Sequence, residues 1–192
     1  MRREGGSPAG VDDPLGEGHM NGKIIGVVLL LSGLVAGIAV YYLQVYGYYE
    51  EVAVDPEGLT LVSQATQAPQ AIAVSDYRAI DADSSPIRYR ACFTTESEPA
   101  ALAENFVTMD GIKPRNAPGW FDCFDAPAIA AELDAGTAQA FLSRKNIDYG
   151  VDRVVAITEA GRGYIWHELN DCGQKSYDGT VIGEECPPRP EE

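Results

Sequence analysis

Histidine is nearly missing from this chain of 192 residues, which has only His19 and His167. Zinc or copper sites and imidazole-activated nucleophiles therefore have little to build on. No CxxC pair, GxSxG elbow or Gly-rich nucleotide loop occurs. Positive charge is also scarce. No Lys or Arg lies between Lys23 and Arg78, and from residue 47 onward 11 Lys and Arg face 25 Asp and Glu, a formal charge of −14. Such a surface repels nucleic acid and anionic lipid headgroups, because phosphate binding runs on clustered cations. The acidity itself reads as solubility rather than a cation site. Asp81-Ala82-Asp83 opens like a calcium loop, but Pro86 stands where an EF-hand needs Gly and Cys92 where it needs Glu.

Charge of either sign is missing from Ile24 to Tyr46, 23 residues in which only Ser32 and Gln44 are strongly polar. As a helix this run spans about 34 Å, enough for a hydrocarbon core of about 30 Å. A cleavable signal has a shorter apolar region. Gly37-Ile38-Ala39 is a weak cleavage site, and the run continues beyond it to Val45, so the segment is expected to stay as an anchor. Tyr41, Tyr42, Tyr46, Tyr48 and Tyr49 form an aromatic belt at one end and Lys23 marks the other. That asymmetry predicts a single pass with a cytoplasmic N-terminus and the bulk of the chain outside. Gly33 and Gly37 form a GxxxG, with Gly26, Ser32 and Ala36 on the same broad face; this pattern favours a homodimer or packing against another membrane protein.

The expected organisation is a disordered tail over residues 1–22, a membrane helix with its belt over 23–49, one exported domain over 50–186 and a disordered acidic tail over 187–192. Met20 opens MNGKIIG, a more usual start for a membrane segment; the expectation is that the preceding residues are an over-extended start, in which case His19 has no role. The fold class expected is α+β with a mostly antiparallel sheet and two or three helices. Pro56-Glu57-Gly58 marks a turn; strands are expected at Leu59 to Val62, Ala71 to Val74 and Ile87 to Phe93, with a turn cluster between Asp81 and Pro86. Helices are expected from Thr95 to Phe106, capped by Ser97, and from Pro127 to about Lys145, with Gly136 a possible break. The clearest hairpin pairs Arg153 to Thr158 with Tyr164 to Leu169.

All four cysteines, Cys92, Cys123, Cys172 and Cys186, fall after the apolar run, as expected of structural disulfides in an exported domain. Of three possible pairings, Cys92–Cys123 with Cys172–Cys186 is favoured, because the last two flank the turn-rich CGQKSYDGTVIGEEC. In GWFDCFDAP, Trp120 and Phe121 offer a possible docking patch. Asp122 and Asp125 could act as an acid–base pair, but suit helix capping before Pro127 better. Strand alternation puts Trp166 and His167 on opposite faces, so a buried Trp166 implies an exposed His167.

The anchor NGKIIGVVLLLSGLVAGIAVYYLQVYGYY, followed by GWFDCFDA and DRVVAITEAGRGYIWHELNDCG, resembles a bacterial family of small inner-membrane proteins of unknown function, sometimes labelled histidine kinase. The resemblance implies a bacterial inner-membrane protein with a periplasmic domain. It carries no site residues, and the kinase label lacks both a nucleotide site and a cytoplasmic phosphoacceptor His. The reading is thus a non-enzymatic interaction, accessory or assembly protein without cofactor or metal, its partners the membrane and either a second protein or a second copy. An envelope hydrolase using Asp122, Asp125 or His167, or a small-ligand sensor with an apolar pocket, is the alternative.

Overall fold

A computed structural model describes residues 21–54 and 58–188. Most of the N-terminal tail, with Met20 and His19, Pro56-Glu57 of the expected turn and the final residues of the acidic tail lie outside them. The chain divides after Tyr42 into two units. The first holds helix α1, Gly22–Tyr42, apolar all round, with none of its residues buried. Asn21 caps it through its side chain, which accepts from the Lys23 amide at 3.1 Å. Uniform apolarity is the pattern of a helix solvated by lipid rather than of one lying on a core. With the π-type turn Leu43–Gly47 that follows, the apolar stretch reaches 26 residues near the N-terminus. It has the character of a membrane anchor or signal sequence.

The second unit is α+β. Strands β1 (Glu50–Val52), β4 (Ser75–Asp81), β5 (Arg90–Thr94), β6 (Ala138–Asp148), β7 (Val151–Thr158) and β8 (Arg162–Leu169) form a sheet of order β1-β4-β5-β8-β7-β6, antiparallel throughout. A separate hairpin joins β2 (Thr60–Val62) to β3 (Pro69–Ala71). Among the described residues two helices complete the domain, α2 (Pro99–Ala103) and α3 (Ala126–Ala135).

Period-two alternation builds a core on each face of the large sheet. Ala79, Ala91, Phe93, Phe141, Val155, Ile157 and Ile165 point to one face, where Leu59 and Leu61 of the small hairpin and Leu102 of α2 cover them. Ile80, Cys92, Ala140, Val154, Ala156, Tyr164 and Trp166 point to the other, covered by Ile129 of α3 and by Phe121 and Phe124 of the loop before it. Ser143 on β6 ties the small hairpin down by donating to the Thr60 carbonyl at 2.6 Å. The outer edge of β6 is shielded by the segment after α2, since the Met109 amide donates to Ala140 and the Leu142 amide to Val107.

Four expectations need correction. The helix expected from Pro127 to Lys145 ends at Ala135, and the second half is β6. Gly136 adopts a left-handed φ of 75° and donates to the last helical carbonyls, a turn that redirects the chain into the sheet. The helix expected from Thr95 to Phe106 shrinks to α2, with Glu98 rather than Ser97 at the N-cap; Phe106 leaves to bridge Ser63 beside β2. The strand expected at Ala71 to Val74 gives way to β3 and the longer β4, whose alternation is broken by a bulge between Ser75 and Arg78 and by the positive φ of Asp76. The strand expected from Ile87 begins only at Arg90, because turn hydrogen bonds run on to Arg88.

Candidate functional site

The GWFDCFDAP segment is a riveted corner. Cys123 is bonded to Cys92 on β5, with their Cα atoms 6.3 Å apart. Phe121 and Phe124, three residues apart, turn inward together; Phe124 meets Tyr164 and Trp166 edge-on at 5.9 and 6.4 Å. The expected docking patch is corrected here. Phe121 is only 3 % exposed, because the turn that presents Trp120 outward sends the next ring into the core.

Trp120 remains half-buried. Its ring stacks at 6.4 Å on Tyr46 and meets Tyr49 edge-on at 6.2 Å, while its indole N–H donates to the Val45 carbonyl at 2.6 Å. Two cations border the cluster. The Arg88 guanidinium lies 5.7 Å over the Tyr49 ring, and Arg78 lies 5.5 Å over Phe121 while pairing with Asp122 at 3.1 Å. Asp125 accepts from the Ala128 amide at 3.1 Å as the N-cap of α3. Asp122 and Asp125 are thus held by a guanidinium and a helix end, respectively.

His167 is buried, which corrects the alternation argument. Strand β8 lies between β5 and β7 in the middle of a sheet covered on both faces, so Trp166 and His167 are both enclosed. The imidazole Nδ1–H donates to the Pro86 carbonyl at 2.6 Å and Nε2 accepts from Arg153 Nε at 3.1 Å. This pattern specifies the neutral tautomer. Burial, reinforced by the Arg153 and Arg90 charges and only partly offset by the Pro86 bond, lowers its pKa to about 4. Tyr89 stacks on the ring at 4.8 Å, carries Arg153 over its own ring at 4.5 Å and shares a hydrogen bond with Tyr77. Burial, joined by Tyr77, keeps the Tyr89 phenol protonated. An imidazole with both nitrogens engaged and no charge near neutrality acts here as a structural bracket. The consecutive apolar residues Tyr164-Ile165-Trp166 within β8, with Val154 to Ile157 on the neighbouring β7, were the available sign that the strand is covered on both faces.

Arg90 is likewise enclosed, with burial lowering its pKa to about 10; its guanidinium donates to the carbonyls of Ile87, Tyr89, Arg115 and Asn116. Half-buried alternation in the sequence did not reveal this inward-facing cation. Cys172 and Cys186 close the C-terminal loop, which has no buried residue among those described. Among the described residues no group of three or more His, Cys, Asp or Glu could hold a metal ion. A groove of about 430 Å³ between α2 and the start of β6 is lined by Glu98, Pro99, Ala103, Gln139 and Glu159, an open and partly acidic surface. A side chain at Gly33 or Gly37 on α1 would meet no atom of the described residues within 4 Å, the adjoining residues and backbone of its own helix aside.

A model described as a family of unknown function, DUF6446, matches residues 59–187, and the chain belongs to that family. No curated protein and no solved structure matches it.

Proposed function

We propose that this DUF6446 member is a non-enzymatic, membrane-anchored interaction or accessory protein. In this reading the apolar helix is retained as a single pass in a bacterial inner membrane, with the N-terminus in the cytoplasm and the disulfide-bonded domain in the periplasm. The scarcity of cations between Lys23 and Arg78 supports that orientation. One observation carries the functional reading. The side chains that the sequence singles out for chemistry are each engaged by the fold: Asp122 by Arg78, Asp125 by a helix amide, His167 at both nitrogens, and the cysteines by one another. The surface offered to a protein partner is then the small-residue face of α1 around Gly33 and Gly37, open along its length.

The test is crosslinking of the tagged full-length protein in native membranes, followed by mild-detergent capture. A stoichiometric second protein, or a second copy, is expected in the wild type and is expected to fall at least about tenfold in Gly33→Leu/Gly37→Leu. Recovery of uncrosslinked protein alone would remove the interaction reading.

A further inference from the structure

We propose that the exported domain is seated on the lipid headgroup layer through Trp120, with Tyr46, Tyr49 and Arg88 around it. The proposal rests on retention of the apolar helix as an anchor. Val45 and Tyr46 belong to the last turn of the apolar stretch, which ends at Gly47. Trp120 donates to the carbonyl of the first at 2.6 Å and stacks on the ring of the second at 6.4 Å, so its indole lies beside the end of the apolar stretch. A helix end leaves carbonyls without intrahelical donors, which a side chain can satisfy in place of water. Trp120, 75 residues further along, supplies one of those donors. Its half-exposed ring is left at the level where amphipathic indoles and phenols partition best.

The position is fixed from both sides. Cys123 ties the loop to β5, and Phe121 and Phe124 anchor it in the core, so Trp120 cannot withdraw without disturbing the domain. The charges at this corner select the kind of surface. Arg88 is held over Tyr49, where it can reach a headgroup phosphate, whereas Arg78 is matched by Asp122, and Glu50 and Glu51 lie on the neighbouring β1. With a domain of formal charge −14 behind it, the seat gains nothing net from anionic lipid. Aromatic partitioning carries it, so a zwitterionic surface is the fitting partner and added salt should not release it.

The chain has two tryptophans, and the second, Trp166, is fully buried and serves as an internal control. The full-length protein is reconstituted in phosphatidylcholine vesicles with and without lipid brominated just below the headgroup. Tryptophan emission of the vesicle-bound fraction is then compared for wild type, Trp120→Phe and Trp166→Phe. Quenching of the Trp166→Phe protein at least about twofold stronger than that of Trp120→Phe, and equal at low and high salt, is expected. If Trp166→Phe does not fold, the wild type replaces it, since it differs from Trp120→Phe by the reporter alone. Protein that floats with the vesicles but shows equal quenching in all forms overturns the seat and leaves the anchor standing. Protein that does not float overturns both.

Discussion

The two disulfides hold regions built on opposite principles. Cys92–Cys123 joins a strand to a loop inside a packed aromatic core, where Phe121, Phe124 and Trp166 are all buried. Cys172–Cys186 closes a loop in which Tyr177, Val181 and Ile182 lie open to solvent and order comes from turns: the Lys175–Val181 bridge, the Ile182 amide on Gln174, and Asp178 accepting from Thr180. Sequence separations of 31 and 14 give similar stabilisation in the chain-entropy model, about 4 and about 3 kcal/mol. A crosslink stabilises a fold only so far as the native state stays ordered without it. On that ground the two bonds should behave very differently.

The largest effect is expected at the core bond. In Cys92→Ala/Cys123→Ala the unfolded chain regains its loop entropy while the corner, held by its buried rings, stays close to native. Nearly the full value of about 4 kcal/mol should therefore be lost from global stability, with a further contribution from the buried Cys92 side chain removed. Urea unfolding followed by Trp166 fluorescence measures it. A loss below about 1 kcal/mol would show that the corner contributes little to the cooperative core.

The same contrast separates what could be read in advance from what could not. The apolar helix, the α+β class, the β7–β8 hairpin and the value of Cys172–Cys186 to a turn-rich loop all rest on local signals: an uncharged run, alternation, a Gly-containing turn, a short spacing. The burial of His167 and Phe121 is not local. It follows from β8 lying in the middle of the sheet and from the loop tied by Cys123 to β5 turning Phe121 into the core on one face of that sheet. The passage from α3 to β6 was half legible, because Gly136 signals a stop, whereas helical spacing of Ala140 and Phe141 hid the pairing with β7 that makes them strand.

A smaller effect is expected on the opposite face of the sheet, and it tests whether that core is as closed as the corner. The His167 pKa is about 4 in the folded protein against 6.5 for the ordinary group. Between those values the unfolded chain binds a proton that the native state refuses, so the stabilisation is complete above about pH 6.5 and declines as pH falls toward 4. The slope is at most about 1.4 kcal/mol per pH unit. His167→Gln can keep a donor for Pro86 and an acceptor for Arg153 but does not titrate. Stability measured across this window should fall less steeply with acid in the variant than in the wild type, with other titrating groups cancelling in the difference. Parallel profiles would mean that water reaches the imidazole and that this face is open.

The smallest global effect is expected at the bond with the clearest sequence signature. When Cys172→Ala/Cys186→Ala releases the C-terminal loop, the unfolded state gains conformational freedom, but so does the native state, since no described residue of that loop is buried to hold it in place. The two gains offset one another, and the unfolding free energy from urea titration followed by Trp166 should fall by less than about 1 kcal/mol rather than the model's 3. The loss should appear locally instead, as fast amide exchange at Gly173 and Ile182 and as rapid proteolysis beside the fully exposed Tyr177. If the unfolding free energy fell by the full value of about 3 kcal/mol, the turn network of Asp178, Lys175 and Gln174 would have to hold its shape without the crosslink. The loop would then belong to the same cooperative unit as the core, and the distinction between a bond that reinforces packing and one that replaces it would fail for this protein.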